Sequence, residues 1–229
     1  MDVWSAPLDP PPTVMAPLVG YLSADERERA ARFVLARARN RFLAGRTFLR
    51  LLLSRCLGEE PADLRFRYGP SGKPRLAGAH GDLEFSLARS EVLVVCALAP
   101  RCGGVGVDVE RVRPLSEAEA LARAAFSPRE VARLHSLPEP VRLRAFYEAW
   151  TRKEAFLKAL GCGLARPLDS FDVAFGPNES PRLLRTLGDP AEAERFSLHA
   201  VEPDPDHIGA VAIAGHDWRV RHRRWRWTE

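Results

Sequence analysis

The sequence has too little of several things for whole classes of protein. Its four cysteines, Cys56, Cys96, Cys102 and Cys162, form no CxxC pair. A chain of 229 residues also buries a core without covalent staples. Neither a disulfide framework nor a zinc ribbon is expected, and the cysteines read as free thiols in a reducing compartment. The six histidines carry no HExxH or comparable metal-ligand spacing. No stretch approaches the roughly 18 uninterrupted apolar residues of a membrane span, and the N-terminus has no basic segment leading into an apolar run. A cytoplasmic protein without a membrane partner is the expectation. Internal repeats and low-complexity tracts are missing as well.

What is present is ordinary in amount: 46% hydrophobic and 28% charged residues, as in soluble globular domains. Lysine is scarce beside arginine, the formal net charge is +4 and the sequence pI is about 9.1. That balance favours acidic partners, whether nucleic acid, a phosphorylated compound or an acidic protein.

A proline-rich opening of 17 residues contains a strand around Val3 and Trp4. Ser23 and Glu26 form a capping box that opens a helix. A second helix runs through Phe42, Leu43, Leu49, Leu52, Leu53 and Leu57 and stops at Gly58. Leu83, Phe85 and Leu87 alternate as a strand, and Val92 to Leu98 reads as a buried one. Pro100 to Gly104 looks like a hinge. Beyond it come a strand from Val105 to Val109, short helices near Ser116 and at Ser127, and a long helix from about Val141 to Leu160 ending at Gly161. Ser127, Pro128 and Glu130 make the start of the second short helix, with Glu130 read as its cap. The remainder is strand-like: Phe171 to Phe175, Phe196 to Val201, Ile208 to Ala214, and Trp218 to the end. The fold class expected is α+β, in two halves of similar size, 1–103 and 104–229.

Three segments carry chemistry. In "GVGVDVE", Gly104 to Glu110, strand alternation puts Val105, Val107 and Val109 on one face and Gly106, Asp108 and Glu110 on the other. Two neighbouring carboxylates repel unless a cation or donors lie between them, and a hard ion such as Mg²⁺ held by carboxylates and substrate phosphates meets that need. A solvated strand face would read the same way. In "WTRKEAFLKALGCGL", Trp150 to Leu164, Trp150, Glu154 and Lys158 lie near one helix face; a surface ion pair beside a core tryptophan is the plain alternative. In "RYGPSGKPRL", Arg67 to Leu76, a glycine-rich turn brings Lys73 and Pro74 to where amides and a cation could meet a nucleotide, or is merely a turn between strands.

Taken together and in this order, the segments resemble the Sfp-type 4′-phosphopantetheinyl transferases, from about Leu22 to Phe175. The family's "GKP" turn, "FNxSHS" strand, "GxDxE" strand, "FSxxE" helix start and "WxxKEAxxKxxGxGL" helix appear here as "SGKP", "FSLARS", "GVDVE", "FSPRE" and "WTRKEAFLKALGCGL", followed by "PLDSFDV". The resemblance implies a pseudo-dimer of two similar α/β halves, each an antiparallel sheet packed on a long helix, with coenzyme A in the cleft between them. The first half would form the coenzyme A side and the second the metal site and catalytic helix. It implies transfer of the phosphopantetheine arm of coenzyme A to a serine of an acyl or peptidyl carrier protein, in secondary metabolism, by a monomer with no nucleic-acid partner. Asp108, Glu110 and Glu154 would hold Mg²⁺. Glu154 would serve, directly or through a metal-bound water, as base for the serine proton, and Lys158 would neutralise the pyrophosphate of coenzyme A and assist departure of 3′,5′-adenosine bisphosphate. Lys73 and Pro74 correspond to adenine-side contacts, and Arg29 and Arg41 to basic positions near the cofactor phosphates. The sequence departs from the family where Ala88 and Arg89 replace Ser-His and Ser86 replaces asparagine, which puts Arg89 at a contact to the 3′-phosphate.

Two other readings stay open on the residues alone. Aspartate on a strand with a following Glu and Lys also serves a metal-dependent nuclease, and a non-catalytic nucleotide or nucleic-acid binder would share the basic charge. The closing "WRVRHRRWRW" interleaves aromatics and cations as single-strand binders do. Alternation of Trp218 and Val220 against Arg219 and Arg221 fits a half-buried edge strand, the reading preferred.

Overall fold

The computed structural model describes residues 1–78 and 82–227. In chain order it runs β1 (Asp2–Pro7), α1 (Pro12–Met15), a 3₁₀ segment, α2 (Ala24–Ala31), α3 (Ala36–Leu57), β2 (Phe66–Tyr68), β3 (Pro74–Leu76), β4 (Leu83–Ser90), β5 (Leu93–Pro100), β6 (Val105–Arg111), α4 (Ala118–Ala125), α5 (Pro128–Ser136), α6 (Glu139–Leu160), β7 (Phe171–Val173), β8 (Leu183–Thr186), α7 (Glu192–Arg195), β9 (Phe196–Val201), β10 (His207–Ala214) and β11 (Arg221–Arg224). The fold is mixed α+β, as expected.

Alternation of apolar residues builds four layers. The first sheet has the order β11-β1-β5-β4 and the second β6-β10-β9. Val94, Cys96 and Leu98 of β5 turn toward Phe48, Leu49, Leu52 and Leu53 of α3. Leu93, Val95, Ala97 and Ala99 turn the other way and meet Val105, Val107, Val109, Val211 and Ile213 of the second sheet. The far face of that sheet, with Ile208, Ala210 and Ala212, packs on Ala155, Phe156 and Ala159 of α6. Each fully buried aliphatic side chain is worth about 1.5–3 kcal/mol, so the layered order follows from the strand patterns. Both long helices end on glycine in the left-handed conformation, Gly58 and Gly161, each at φ 72°, where a side chain would be strained.

The structure differs from expectation in three places. The first sheet is not purely antiparallel, because β11 lies parallel to β1. The strand from the C-terminus therefore completes a sheet otherwise made from the first 100 residues. That strand begins at Arg221 rather than Trp218, and all four of its residues are exposed. Trp218 donates its indole N–H to Ala214 O at 3.0 Å, and Trp225, just past the strand, takes the buried place beside Phe48 and Trp4. Residues 228 and 229 lie outside the described ones. Finally, β2-β3 and β8 belong to two-stranded sheets too short to carry a periodic signal.

A buried ion cluster holds α2 to α3. Glu26 closes the box with its backbone bond to Ser23 and also accepts from Arg46 Nε and Arg50 Nε, each at 2.6 Å. Burial acts to raise the Glu26 pKa, but Arg46 and Arg50 outweigh it and pull it below the usual value. Glu26→Ala would strand two guanidinium groups, Arg50 being 1% exposed. Unfolding free energy from denaturant titration should fall by about 3–5 kcal/mol; a loss under about 1 kcal/mol would contradict this account.

Candidate active site

The acid strand β6 works because its two faces differ. Val105, Val107 and Val109 are fully buried between the sheets, which turns Gly106, Asp108 and Glu110 toward α6. A Cβ on Gly106 would run into Ala155 O and Ala159 N of α6. Glycine here lets the helix come against the strand. Gly106→Ala should therefore push α6 outward, at a cost of about 1–3 kcal/mol in stability and with loss of activity. A thermal melt matching that of the parent protein would contradict it.

Across that close contact Lys158 Nζ reaches Asp108 Oδ1 at 2.6 Å. Asp108 is 6% exposed, and its Oδ2 is buried without a hydrogen-bond partner. Burial pushes the Asp108 carboxyl above its ordinary value, against the pull of Lys158. Glu110 is likewise raised by burial, opposed by its bond from Ser90 and reinforced by Asp108. Glu154, one turn before Lys158, is raised by burial and by Asp108, with Glu110 adding and Lys158 opposing. Glu154 makes no hydrogen bond or ion pair among the described residues. Three carboxylates thus share one field with a single ammonium. They are not drawn into a cage: among the described residues no group of three ligand-type side chains is arranged to hold a metal ion.

Lys153 and Glu130 stand on the other side of α6. Lys153 is 0% exposed and meets Glu130 Oε2 at 2.7 Å, with bonds to Leu168 O and Phe171 O. Glu130 does cap α5, through Ser127 N at 3.0 Å, and it also accepts from Val173 N at 2.9 Å. It is a cap and, in addition, the link between α5, α6 and β7. Trp150 stacks on Phe146, with ring centroids 5.9 Å apart.

The glycine-rich turn is fastened to the C-terminal end of α6. Ser71 Oγ donates to Gly161 O at 2.7 Å. Lys73 Nζ donates to Lys158 O at 2.6 Å and Val105 O at 2.7 Å, so its cation is spent on backbone carbonyls rather than held free. Burial, with Arg75 adding, lowers the Lys73 pKa to about 8. Pro74 opens β3 and lines a cavity of about 450 Å³ with Arg75, Phe85, Gly104 and Leu160.

The structure gathers some of the expected basic residues and separates another. The guanidinium of Arg29 lies 5.5 Å from the Phe42 ring centre and that of Arg89 6.0 Å. Burial lowers the Arg89 pKa, and Arg29 and Arg46 lower it further. Arg29, Phe42, Arg46, Ser71 and Gly72 line a cavity of about 510 Å³. Arg41 is instead held by Asp9, through bonds of 2.8 and 2.7 Å. Sequence reasoning missed Arg46 and Ser90. Arg46 could have been found from its place one turn after Phe42 on the helix, and Ser90 from its strand period with Ser86.

Residues 104–215 match the 4′-phosphopantetheinyl transferase superfamily, and residues 9–101 match the 4′-phosphopantetheinyl transferase N-terminal family. The chain is 40% identical to the 4′-phosphopantetheinyl transferase HetI of Nostoc sp. over 96% of this chain and 90% of that one. It is 32% identical to the 4′-phosphopantetheinyl transferase Sfp of Bacillus subtilis over 68% of this chain and 67% of that one. Among solved structures, Thermotoga maritima holo-acyl-carrier-protein synthase is similar with a TM-score of 0.40 and 21% identity, over 49% of this chain and 63% of that one.

Proposed function

The chain belongs to the 4′-phosphopantetheinyl transferase superfamily, and on that footing we propose how its residues carry out the transfer. It is a 4′-phosphopantetheinyl transferase: it moves the 4′-phosphopantetheine arm of coenzyme A to a serine of a carrier protein and releases 3′,5′-adenosine bisphosphate. The nuclease and non-catalytic readings find no support among the relatives. The observation that carries the assignment of the site is the Lys158–Asp108 pair, with the pKa values of Asp108, Glu110 and Glu154 all raised around it.

The donor chemistry fits Mg²⁺. All three side chains offer hard oxygens, one oxygen of Asp108 is buried and unpartnered, and the carboxylates are short of positive charge. Asp108, Glu110 and Glu154 would hold the ion, which when bound supplies charge neutralisation to the pyrophosphate. The other steps belong to the chain. Lys158 stabilises negative charge growing on the departing phosphate, and Asp108 keeps its ammonium oriented. Glu154, with its pKa raised toward the working pH, takes the proton of the attacking serine hydroxyl. Arg29 and Arg89 hold the 3′-phosphate, with Arg41 joining if Asp9 releases it; Arg46 lines the same region but its guanidinium is committed to Glu26. Lys73 fixes the turn, and Pro74 offers an apolar face to the adenine.

Halves 1–103 and 104–229 form a pseudo-dimer acting as a monomer in the cytoplasm, in secondary metabolism, with no nucleic-acid or membrane partner. No helix among the described residues is long and apolar enough to cross a membrane. The test is to incubate the protein with Mg²⁺, coenzyme A and a panel of apo acyl and peptidyl carriers. Intact mass should rise by one phosphopantetheinyl group on the serine; a panel left entirely unmodified would overturn the reading.

Arg89 gives a second measurement. Arginine stays charged throughout the working range and grips phosphate bidentately, whereas histidine loses its charge near pH 6.5. The preference for coenzyme A over its 3′-dephospho form should stay constant from mildly acid to mildly alkaline pH. In Arg89→His it should shrink as pH rises through the histidine pKa. An unchanged preference in Arg89→Ala would remove Arg89 from the contact.

A further inference from the structure

The outer edge of β6 is closed by side chains rather than by another strand. Among the described residues, β6 pairs in the second sheet with β10 on one side only. Its other edge presents backbone groups that need partners, and it lies against the face of β4 that carries Ser86, Ala88 and Ser90. Ser86 Oγ accepts from Val107 N at 3.1 Å, and Ser90 Oγ accepts from Arg111 N at 3.0 Å. Both contacts have the same offset of 21 residues, so β4 and β6 run in the same direction here and the two hydroxyls sit one four-residue step apart on each strand. Lys73 supplies the donor for Val105 O on this edge. Hydroxyls and an ammonium thus stand where ladder bonds would otherwise run.

Ser90 does more than Ser86. The hydroxyl that accepts from Arg111 N also donates to Glu110 Oε2 at 2.8 Å. Ser90 is 6% exposed and Ser86 3%, so neither bond competes freely with water. One hydroxyl therefore fixes both the backbone after Glu110 and the direction of its carboxylate, and it does so from a strand of the first sheet.

We propose that Ser90 is the positioning residue for Glu110, and that Ser86 and Ser90 together set the height of the acid strand against β4. The proposal rests on the reading that Glu110 is a metal ligand. Residues that orient a ligand from behind typically change metal affinity 10–100-fold when removed. Ser86 is the internal control: it satisfies the same edge but touches no carboxylate.

The experiment uses Mn²⁺ as probe, with binding to the purified full chain followed by electron paramagnetic resonance and the unfolding midpoint measured alongside. Ser90→Ala should weaken Mn²⁺ binding about tenfold, while Ser86→Ala, with a comparable change in midpoint, should leave it within about twofold. In a Glu110→Gln background Ser90→Ala should have no further effect on binding. If Ser90→Ala does not fold, Ser90→Cys, which keeps the volume but bonds only weakly, should give the same loss. Parent-like binding in the folded Ser90 variant would overturn the proposal, as would equal weakening in the Ser86 and Ser90 variants. Failure of the parent protein to bind Mn²⁺, or indifference to Glu110→Gln, would instead overturn the metal reading on which it rests.

Discussion

Asp108→Ala is expected to lower carrier modification about a thousandfold or more, the scale of losing a preorganised charge partner in a water-poor site. Three consequences add. A hard-oxygen donor disappears, and with it the oxygen that is buried without a partner. Lys158 loses the carboxylate that holds its ammonium 2.6 Å away. Glu110 and Glu154 lose the neighbour that raises their pKa values. The fold should survive, because the valines on the opposite face of β6 make the core contacts, and a carboxylate raised by burial is a net burden on stability at neutral pH. Turnover within a few-fold of the parent at saturating Mg²⁺ would remove Asp108 from the site.

How much of this was legible in the sequence depended on the range of the interaction. The faces of β6 could be read because strand alternation is local: Val105, Val107 and Val109 on one side, Asp108 and Glu110 on the other. The position of Lys158 one turn after Glu154 was equally local. What escaped were partnerships across the chain. Ser90 meets Glu110 and Arg111 about 20 residues on, Lys73 meets Val105 and Lys158 across 32 and 85 residues, and β11 pairs with β1 from the opposite terminus. Arg41 was assigned near the cofactor phosphates by resemblance, and no local pattern could say that Asp9 stands beside it. The N-capping role of Glu130 was visible as a box, but its contact with Lys153 was not.

Lysine usage gives a further clue that composition alone did not interpret. The chain has three lysines, Lys73, Lys153 and Lys158, and each sits in a built position: on two carbonyls, in a buried pair with Glu130, and on Asp108. Exposed positive charge is otherwise arginine. A compact ammonium with freely rotating donors suits these crowded sites, where a planar guanidinium would demand its own fork of acceptors. Two of the three lysines touch the acid strand or its helix partner, while arginine supplies the buried cations at Glu26.

Glu154→Gln separates catalysis from cofactor binding and from stability, and the three are expected to move differently. The amide keeps the shape of the side chain but neither binds a proton nor serves as a strong ligand, so turnover should fall about a hundredfold or more. Coenzyme A binding, proposed to draw on the arginines around Phe42 and on the turn at Lys73, should change only a few-fold. Stability should rise. The Glu154 pKa is raised in the folded protein, first by burial and then by Asp108 and Glu110, so between its unfolded and folded values the native state binds more protons. Its contribution is therefore most favourable below the unfolded value of about 4.5 and is lost as pH rises through the folded value. At pH 8 without divalent ions, removing that ionised carboxylate should stabilise the protein by about 1 kcal/mol, within the range seen when a strained functional group is relieved. At pH 4, where the parent carboxyl is protonated, the difference should vanish, and Mg²⁺ should raise the parent's melting temperature more than the variant's. Binding by calorimetry, turnover with an apo carrier and melts at the two pH values decide the matter. Equal losses in coenzyme A binding and turnover would make Glu154 a cofactor-positioning group, and a variant less stable than its parent at pH 8 would show that the repulsion among Asp108, Glu110 and Glu154 is not felt.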